Sequence, residues 1–254
     1  MNVRPKKELG QHFLVDENIL GVIGRLAELS ADDVVLEIGP GLGVLTRYLA
    51  ERVALVHAVE VDPSLAAHLP PVPNVRLEVG DALRLDLSDL DPPPSKLVSN
   101  LPYNVATPIV VESLDGLPGL ELWCVMVQRE VADRFFAAPG TKAYGAVSVL
   151  LQLAAERTGF HPVSRTVFRP PPNVDSALVA FRRRPLPDGF PDVKRIVEAA
   201  FAHRRKTLPN SLELAGATTR SEAAEALRAL GRPADSRAEA LGPEEFVALT
   251  HILG

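Results

Sequence analysis

Asp33-Val34-Val35-Leu36-Glu37-Ile38-Gly39-Pro40-Gly41-Leu42-Gly43 decides the fold. A short β-branched run stops at three alternating glycines, and Val44 to Glu51 then continues with helical spacing. Strand, glycine loop and helix in that order open a βα unit. The pattern repeats outward from there. Ala54–Val59 ends at Glu60 and Asp62, with Pro63 placed to open a helix at its first position. Val75–Val79 ends in Gly80-Asp81, Lys96–Ser99 in Asn100-Leu101-Pro102-Tyr103, and Leu122–Val127 in Gln128-Arg129-Glu130. Strands alternating with helices at this spacing predict right-handed βαβ units and a mostly parallel, Rossmann-like sheet covered on both faces. Polar residues and glycines recur at the strand C-terminal ends, where such sheets bind ligands.

Further along, the prolines of Val167–Ser176 exclude a helix or a central strand and predict a rigid loop leading into one more strand, Ala177–Phe181. Arg182–Gly189 reads as a linker. Val193–Phe201, Ser221–Leu230 and Pro243–Ile252 then read as helices with no strand pattern between them. The expected organisation is an α/β domain over 1–184 and a small all-helical domain over 185–254.

Composition narrows the class. With 46% apolar and 23% charged residues among 254, the chain can bury a sizeable core. No apolar run is long enough for a membrane span, and Met1–Lys7 lacks the apolar segment of a signal peptide, so a cytoplasmic protein is expected. A single cysteine, Cys124, excludes an internal disulfide framework and a cysteine-rich zinc site; no metal site is expected. The net charge of -5 hides an asymmetry. Residues 163–206 hold ten Arg or Lys against four Asp or Glu, so this segment is +6 and the rest of the chain -11.

The residues at the strand ends suit a nucleoside-type ligand. Small residues at Gly39 and Gly41 let a ligand approach the backbone, although Val44 stands where a dinucleotide fingerprint needs its third glycine. Glu60 can accept from both ribose hydroxyls, and Asp81 from an adenine amino group; a solvated strand-end charge is the alternative for each. Asn100-Leu101-Pro102-Tyr103 is the sharper signal, because its residue types match methyl transfer to an exocyclic amine. The lone pair of an aromatic amine is delocalised into its ring and has to be polarised in place. The Asn100 side-chain oxygen and the Leu101 carbonyl can both accept from that amine, Pro102 fixes the turn without a competing donor, and Tyr103 can stack on the base. Phe168 could be simple core, yet its proline-rich setting suits a rigid aromatic wall opposite Tyr103, and both ring faces can stabilise the charge that develops on the amine.

Five blocks carry a resemblance to the ribosomal RNA adenine dimethyltransferase family, and specifically to its small-subunit enzymes. They are Gly10-Gln11-His12-Phe13-Leu14, Glu37–Gly41, Asn100–Asn104, Phe168–Ala177 and Phe201–Leu208, in that order. The resemblance runs from Lys7 almost to the C-terminus. It implies an S-adenosylmethionine-dependent methyltransferase sheet, with His12 and Leu14 in an N-terminal segment that closes over the cofactor. Gly39 and Gly41 match the loop near the cofactor's methionine part, Glu60 the ribose-binding acid, Asp81 the residue at the adenine ring, and Asn100 a residue between cofactor and target. It implies two successive methylations of N6 on each of two neighbouring adenines in a hairpin loop near the 3′ end of small-subunit (16S) rRNA. The chemistry of these residues suits direct in-line attack of N6 on the sulfonium methyl, by positioning and electrostatics. The expected partner is that RNA within the 30S subunit or its precursor, met by a monomer. Arg182, Arg183, Arg184, Lys194, Arg195, Arg204, Arg205 and Lys206 are then candidate phosphate contacts, with a solvated charged surface as the alternative.

Three other functions compete with this one. A large-subunit rRNA adenine methyltransferase of the antibiotic-resistance type shares the fold and the Asn-Leu-Pro-Tyr-like turn; the Phe168–Ala177 and Arg204–Leu208 blocks favour the small-subunit type. A small-subunit assembly factor with secondary catalysis is the second. A nicotinamide-dependent dehydrogenase is the third, and the GxGxG spacing argues against it.

Overall fold

Residues 12–69 and 71–254 are described by a computed structural model. Met1–Lys7 and the Gly10-Gln11 pair of the first block lie outside the described residues. Spatial contacts divide the chain into two units, residues 1–132 with 157–183 and residues 133–156 with 184–254. The second unit thus includes 133–156, which the sequence boundary at 184 assigns to the first domain. That segment carries the helix Ala146–Ala154, buried along most of its length and packed on the helix Phe190–Phe201, so its apolar surface is satisfied by helices rather than by the sheet.

The first unit is built on a seven-stranded sheet. After β1 (Phe13–Leu14) and α1 (Glu17–Leu26) come β2 (Val34–Ile38), α2 (Val44–Ala50), β3 (Leu55–Glu60), α3 (Pro63–Ala66), β4 (Val75–Val79), β5 (Lys96–Asn100), α4 (Ala106–Gly116) and β6 (Leu122–Gln128). Later chain supplies β7 (Ala155–Val163), which enters this unit from residue 157, then β8 (Phe168–Arg169) and β9 (Ser176–Arg183). The spatial order is β4-β3-β2-β5-β6-β9-β7. The first five strands of that order are parallel, and β9 is antiparallel to β6.

Apart from the edge strand β4, where Arg76 and Glu78 alternate with apolar residues, these strands form where the sequence is largely apolar, since both faces of the middle of the sheet are covered. Val35, Leu36, Val56, Leu97, Val98, Cys124 and Val125 are fully buried. Burial of each such aliphatic side chain contributes about 1.5–3 kcal/mol. Helix starts follow local chemistry: Asp62 accepts from the Ser64 amide at 3.0 Å and Pro63 occupies the first helical position, as the sequence predicts. The sequence order reverses between β2 and β5, which places the mouth of the sheet at the carboxyl ends of these two strands.

The expected linker beginning at Arg182 is corrected. Arg182 and Arg183 continue β9, with Leu122 opposite Arg182 and the Arg183 amide donating to the Glu121 carbonyl at 2.8 Å. The basic run looks like solvent-facing chain, but backbone pairing to β6 carries the strand two residues past Phe181.

The second unit is helical: the end of α5 (Arg129–Phe135), then α6 (Ala146–Ala154), α7 (Phe190–Phe201), α8 (Leu208–Leu214), α9 (Arg220–Ala229) and α10 (Pro243–Leu253). Its core holds Tyr144, Phe190, Val193, Leu212, Leu227 and Phe246. The buried Tyr144 hydroxyl donates to the Leu241 carbonyl at 2.8 Å, which satisfies the one polar atom of that ring. Among the described residues, no helix is long and apolar enough to cross a membrane.

Candidate active site

Strand ends converge on one cavity of about 230 Å³ within the first unit. Its wall takes residues from the N-terminal strap (His12, Phe13, Leu14), the glycine loop after β2, the ends of β3 and β4, and the turn after β5. Nine of the ten residues expected at the cofactor or the target base line it: His12, Leu14, Gly39, Gly41, Glu60, Asp81, Asn100, Leu101 and Tyr103.

The loop geometry follows from its glycines. Gly39 and Gly41 have φ of +75° and +57°, left-handed backbone that an L side chain rarely adopts. A Cβ on Gly41 would sit 3.1 Å from the Phe13 ring, so the strap lies directly on the loop.

Two carboxylates shape the cavity. Glu60 is 3% exposed, which removes the solvated-charge alternative. Its Oε2 accepts from the Gly41 amide at 3.1 Å and its Oε1 from the Asp62 amide at 2.9 Å. Burial raises its pKa while these two amides oppose the rise. Each oxygen keeps a further lone pair for a hydroxyl donor. Asp81 is more open; it accepts from the Leu83 amide at 3.0 Å and stands 3.4 Å from Arg84.

Glu37 is the residue the sequence reading did not single out. It lines the cavity at 1% exposure, and its Oε2 is a buried atom with no hydrogen-bond partner among the described residues. Burial pushes its carboxyl up to about 8; the Thr46 hydroxyl, close but outside hydrogen-bond geometry, opposes the rise and the Glu60 charge adds to it. A carboxylate inside the apolar run Val34–Ile38 was the available signal, since such a group is retained in a strand only at a cost.

The turn after β5 is fastened at several points. The Leu101 amide donates to the Met126 carbonyl at 3.1 Å, and Asn100 Nδ2 donates to the His12 carbonyl at 3.3 Å. With its nitrogen engaged, the Asn100 amide offers its oxygen as the remaining acceptor. The Tyr103 hydroxyl is 2.6 Å from Ser176 Oγ, and its ring centroid is 5.6 Å from that of His12. His12 Nδ1 is 2.8 Å from the Pro170 carbonyl, an arrangement that requires a proton on that nitrogen.

Phe168 is corrected. It is 1% exposed, belongs to the core cluster with Leu14, Ile23, Met126 and Leu178, and does not line the cavity. Pairing of β8 with β1, Leu14 opposite Phe168, turns the ring inward. His12 supplies the aromatic neighbour of Tyr103 instead.

The basic residues have separate fates. Arg183 is corrected as a phosphate contact: it donates to the carbonyls of Leu114 at 2.7 Å, Leu117 at 2.8 Å and Leu120, with its guanidinium 4.9 Å from the Trp123 ring centroid. It ties β9 to the end of α4, and burial lowers its pKa. Arg182 pairs with Glu28 at 2.7 Å and Arg184 with Glu156 at 2.6 Å. In the second unit Arg195 stands 3.4 Å from Asp192, and Arg204 donates to the Lys142 and Tyr144 carbonyls. Lys194 lies on α7 and has a partner of its own. The side chains of Arg205 and Lys206 are exposed and carry no ion pair among the described residues.

A profile described as ribosomal RNA adenine dimethylase matches residues 2–247. The chain belongs to that family. Its members draw methyl groups from S-adenosylmethionine. Similar relatives are named ribosomal RNA small subunit methyltransferase A: one from Rubrobacter xylanophilus is 51% identical over 97% of this chain and 94% of its own length. One from Thermobifida fusca is 48% identical over 98% and 90%. Among solved structures, the 23S rRNA methyltransferase ErmE is 30% identical with a TM-score of 0.66, covering 95% of this chain and 99% of that one. A dimethyladenosine transferase from Plasmodium falciparum, 22% identical, shares the fold with a TM-score of 0.74 over 94% and 96%.

The cavity fits the family's cofactor. An unpartnered buried carboxylate oxygen in its wall, a second carboxylate with lone pairs to spare and backbone bared at Gly39 and Gly41 match a ligand rich in donors. S-adenosylmethionine brings an electrophilic methyl group on a sulfonium.

Proposed function

We propose that this protein methylates N6 of two adjacent adenines, twice each, in the 3′-terminal hairpin loop of small-subunit rRNA. The observation that carries the reading is the Asn100–Tyr103 turn at the reversal of strand order, opening on the same cavity as Glu60 and the glycine loop. Asn100 Oδ1 and the Leu101 carbonyl hold the two hydrogens of the amine and keep its lone pair out of the ring conjugation. Tyr103 offers its ring face to the base and to the positive charge that develops on the amine. Glu60 and Asp81 hold the nucleoside part of the cofactor, and Gly39, Gly41, His12 and Leu14 enclose the rest. These groups act by positioning and electrostatics, without a covalent protein intermediate. The proton lost from the methylated amine passes to solvent, since an aryl ammonium is a strong acid.

The second unit supplies RNA contacts through Lys194, Arg195, Arg204, Arg205 and Lys206, Arg205 and Lys206 leading because their charges are unspent. The substrate is the 30S subunit or its precursor, met by a monomer in the cytoplasm. Mass spectrometry of both ribosomal subunits after incubation with labelled S-adenosylmethionine tests this. Dimethyladenosine pairs in the small-subunit RNA are expected. Label confined to large-subunit RNA would give the function to the reading that the 30% identity with ErmE keeps in view.

A further inference from the structure

The Tyr103 ring is a cavity wall, yet the turn that carries it fixes only its backbone. A tyrosine whose phenol is free can change rotamer about χ1 and leave the wall. Here the phenol ends on Ser176. The two oxygens are 2.6 Å apart, and Ser176 is 1% exposed as the first residue of β9. We infer that Ser176 is a positioning residue for the methyl transfer proposed above, holding the Tyr103 ring in the plane that receives the target base.

Three observations support this. Ser176 sits opposite Gln128 in the β6–β9 pair, while β6 also accepts the Leu101 amide through Met126. The two ends of the turn are therefore fastened to the same strand pair, Leu101 directly and Tyr103 through its hydroxyl. The residue before Ser176 is itself anchored: Asp175 Oδ1 accepts from Arg165 Nε at 3.0 Å and from the Arg165 amide at 3.1 Å, and its carbonyl accepts from the Arg129 amide at 2.9 Å. Ser176 is thus a fixed point rather than a follower of the ring. At the other end of the same loop, the Pro170 carbonyl holds the His12 ring, so one proline-rich segment steadies both aromatic side chains.

The inference rests on the proposed function, and its test is separable from it. Ser176→Ala and Tyr103→Phe each remove the hydrogen bond and leave both backbones in place. Each is expected to lower kcat on small-subunit particles about five- to tenfold, the effect of losing one net hydrogen bond at a positioned group. Cofactor affinity by calorimetry is expected to stay within about twofold of wild type. The double variant is expected to be no slower than either single one, because both remove the same link. Ser176→Thr, which keeps the hydroxyl, is expected to restore kcat to within about twofold. Independently of activity, the ring-carbon NMR signal of Tyr103, assigned by its loss in Tyr103→Phe, is expected to shift and broaden in Ser176→Ala. An unchanged Tyr103 signal in Ser176→Ala, or multiplicative losses in the double variant, overturns the inference. An inactive wild type on both ribosomal subunits overturns the proposed function instead, while the NMR comparison still decides on Ser176.

Discussion

The side-chain amide of Asn100 donates from Nδ2 to the backbone carbonyl of His12 at 3.3 Å, across 88 positions of sequence. One planar group therefore latches the N-terminal strap with its nitrogen and leaves its oxygen as the acceptor that the proposed mechanism gives to the target amine. Asn100→Ala removes both functions. Methyl incorporation is expected to fall about 10²- to 10³-fold, the range for removing one electrostatic group from a transition state. Particle binding in a sedimentation assay is expected to survive. Turnover within a few-fold of wild type would reject the role given to this amide.

Gly41 tests the loop. Its φ of +57° is strained for any L side chain, and an added methyl would lie 3.1 Å from the Phe13 ring. Gly41→Ala is expected to cost about 1–2 kcal/mol in backbone conformation alone, hence about a tenfold or larger loss of S-adenosylmethionine affinity by calorimetry. Wild-type affinity would mean that the loop does not touch the cofactor.

Glu37 sets a pH dependence of the cofactor-free protein. Its carboxyl is raised in the folded chain from 4.5 to about 8, so the native state binds more protons than the unfolded state between these values. The stabilisation is fully present below 4.5 and is lost as pH rises through about 8. Tm is expected to fall over that window, and Glu37→Gln is expected to flatten the decline. Parallel Tm curves for the two proteins would place the ionisation elsewhere.

The basic residues separate by what their side chains already hold. Arg183→Ala leaves three carbonyls without their donor and is expected to destabilise the fold by about 2–3 kcal/mol, read in urea, with an unchanged salt dependence of RNA binding. Arg205→Ala and Lys206→Ala are expected to leave stability within about 0.5 kcal/mol of wild type. Each is expected to make the log–log salt slope of binding shallower by about one, the contribution of one phosphate contact. A slope that moves with Arg183 instead of Arg205 would reverse the assignment.

The parallel part of the sheet was legible because most of its strands are largely apolar and stop at glycine, acid or a polar turn. The segments that escaped were those without a clear apolar period of their own. α8 is a seven-residue helix between Thr207 and Ala215, too short for a clear apolar period. β7, the sheet's last strand, has an exposed or half-buried middle and lacks a hydrophobic run. At the site, residue types at strand ends were enough to select Glu60 and Asn100, because position there follows from topology alone. Phe168 was misread because an aromatic ring beside prolines suits a cavity wall and a core equally well. Only the β1–β8 pairing, between positions 155 or so apart, decides which way it faces. Ser176 carried no local signal, since its partner Tyr103 is 73 residues earlier.

The antiparallel course of β9 has a consequence for how the chain matures. Because β9 runs against β6, its leading end arrives beside the trailing end of its neighbour, with Ser176 opposite Gln128. Every group that lines the cavity emerges from the ribosome before the brace that steadies two of its aromatic side chains. A nascent chain halted at residue 167 would hold every residue that lines the cavity and lack both Pro170 and Ser176.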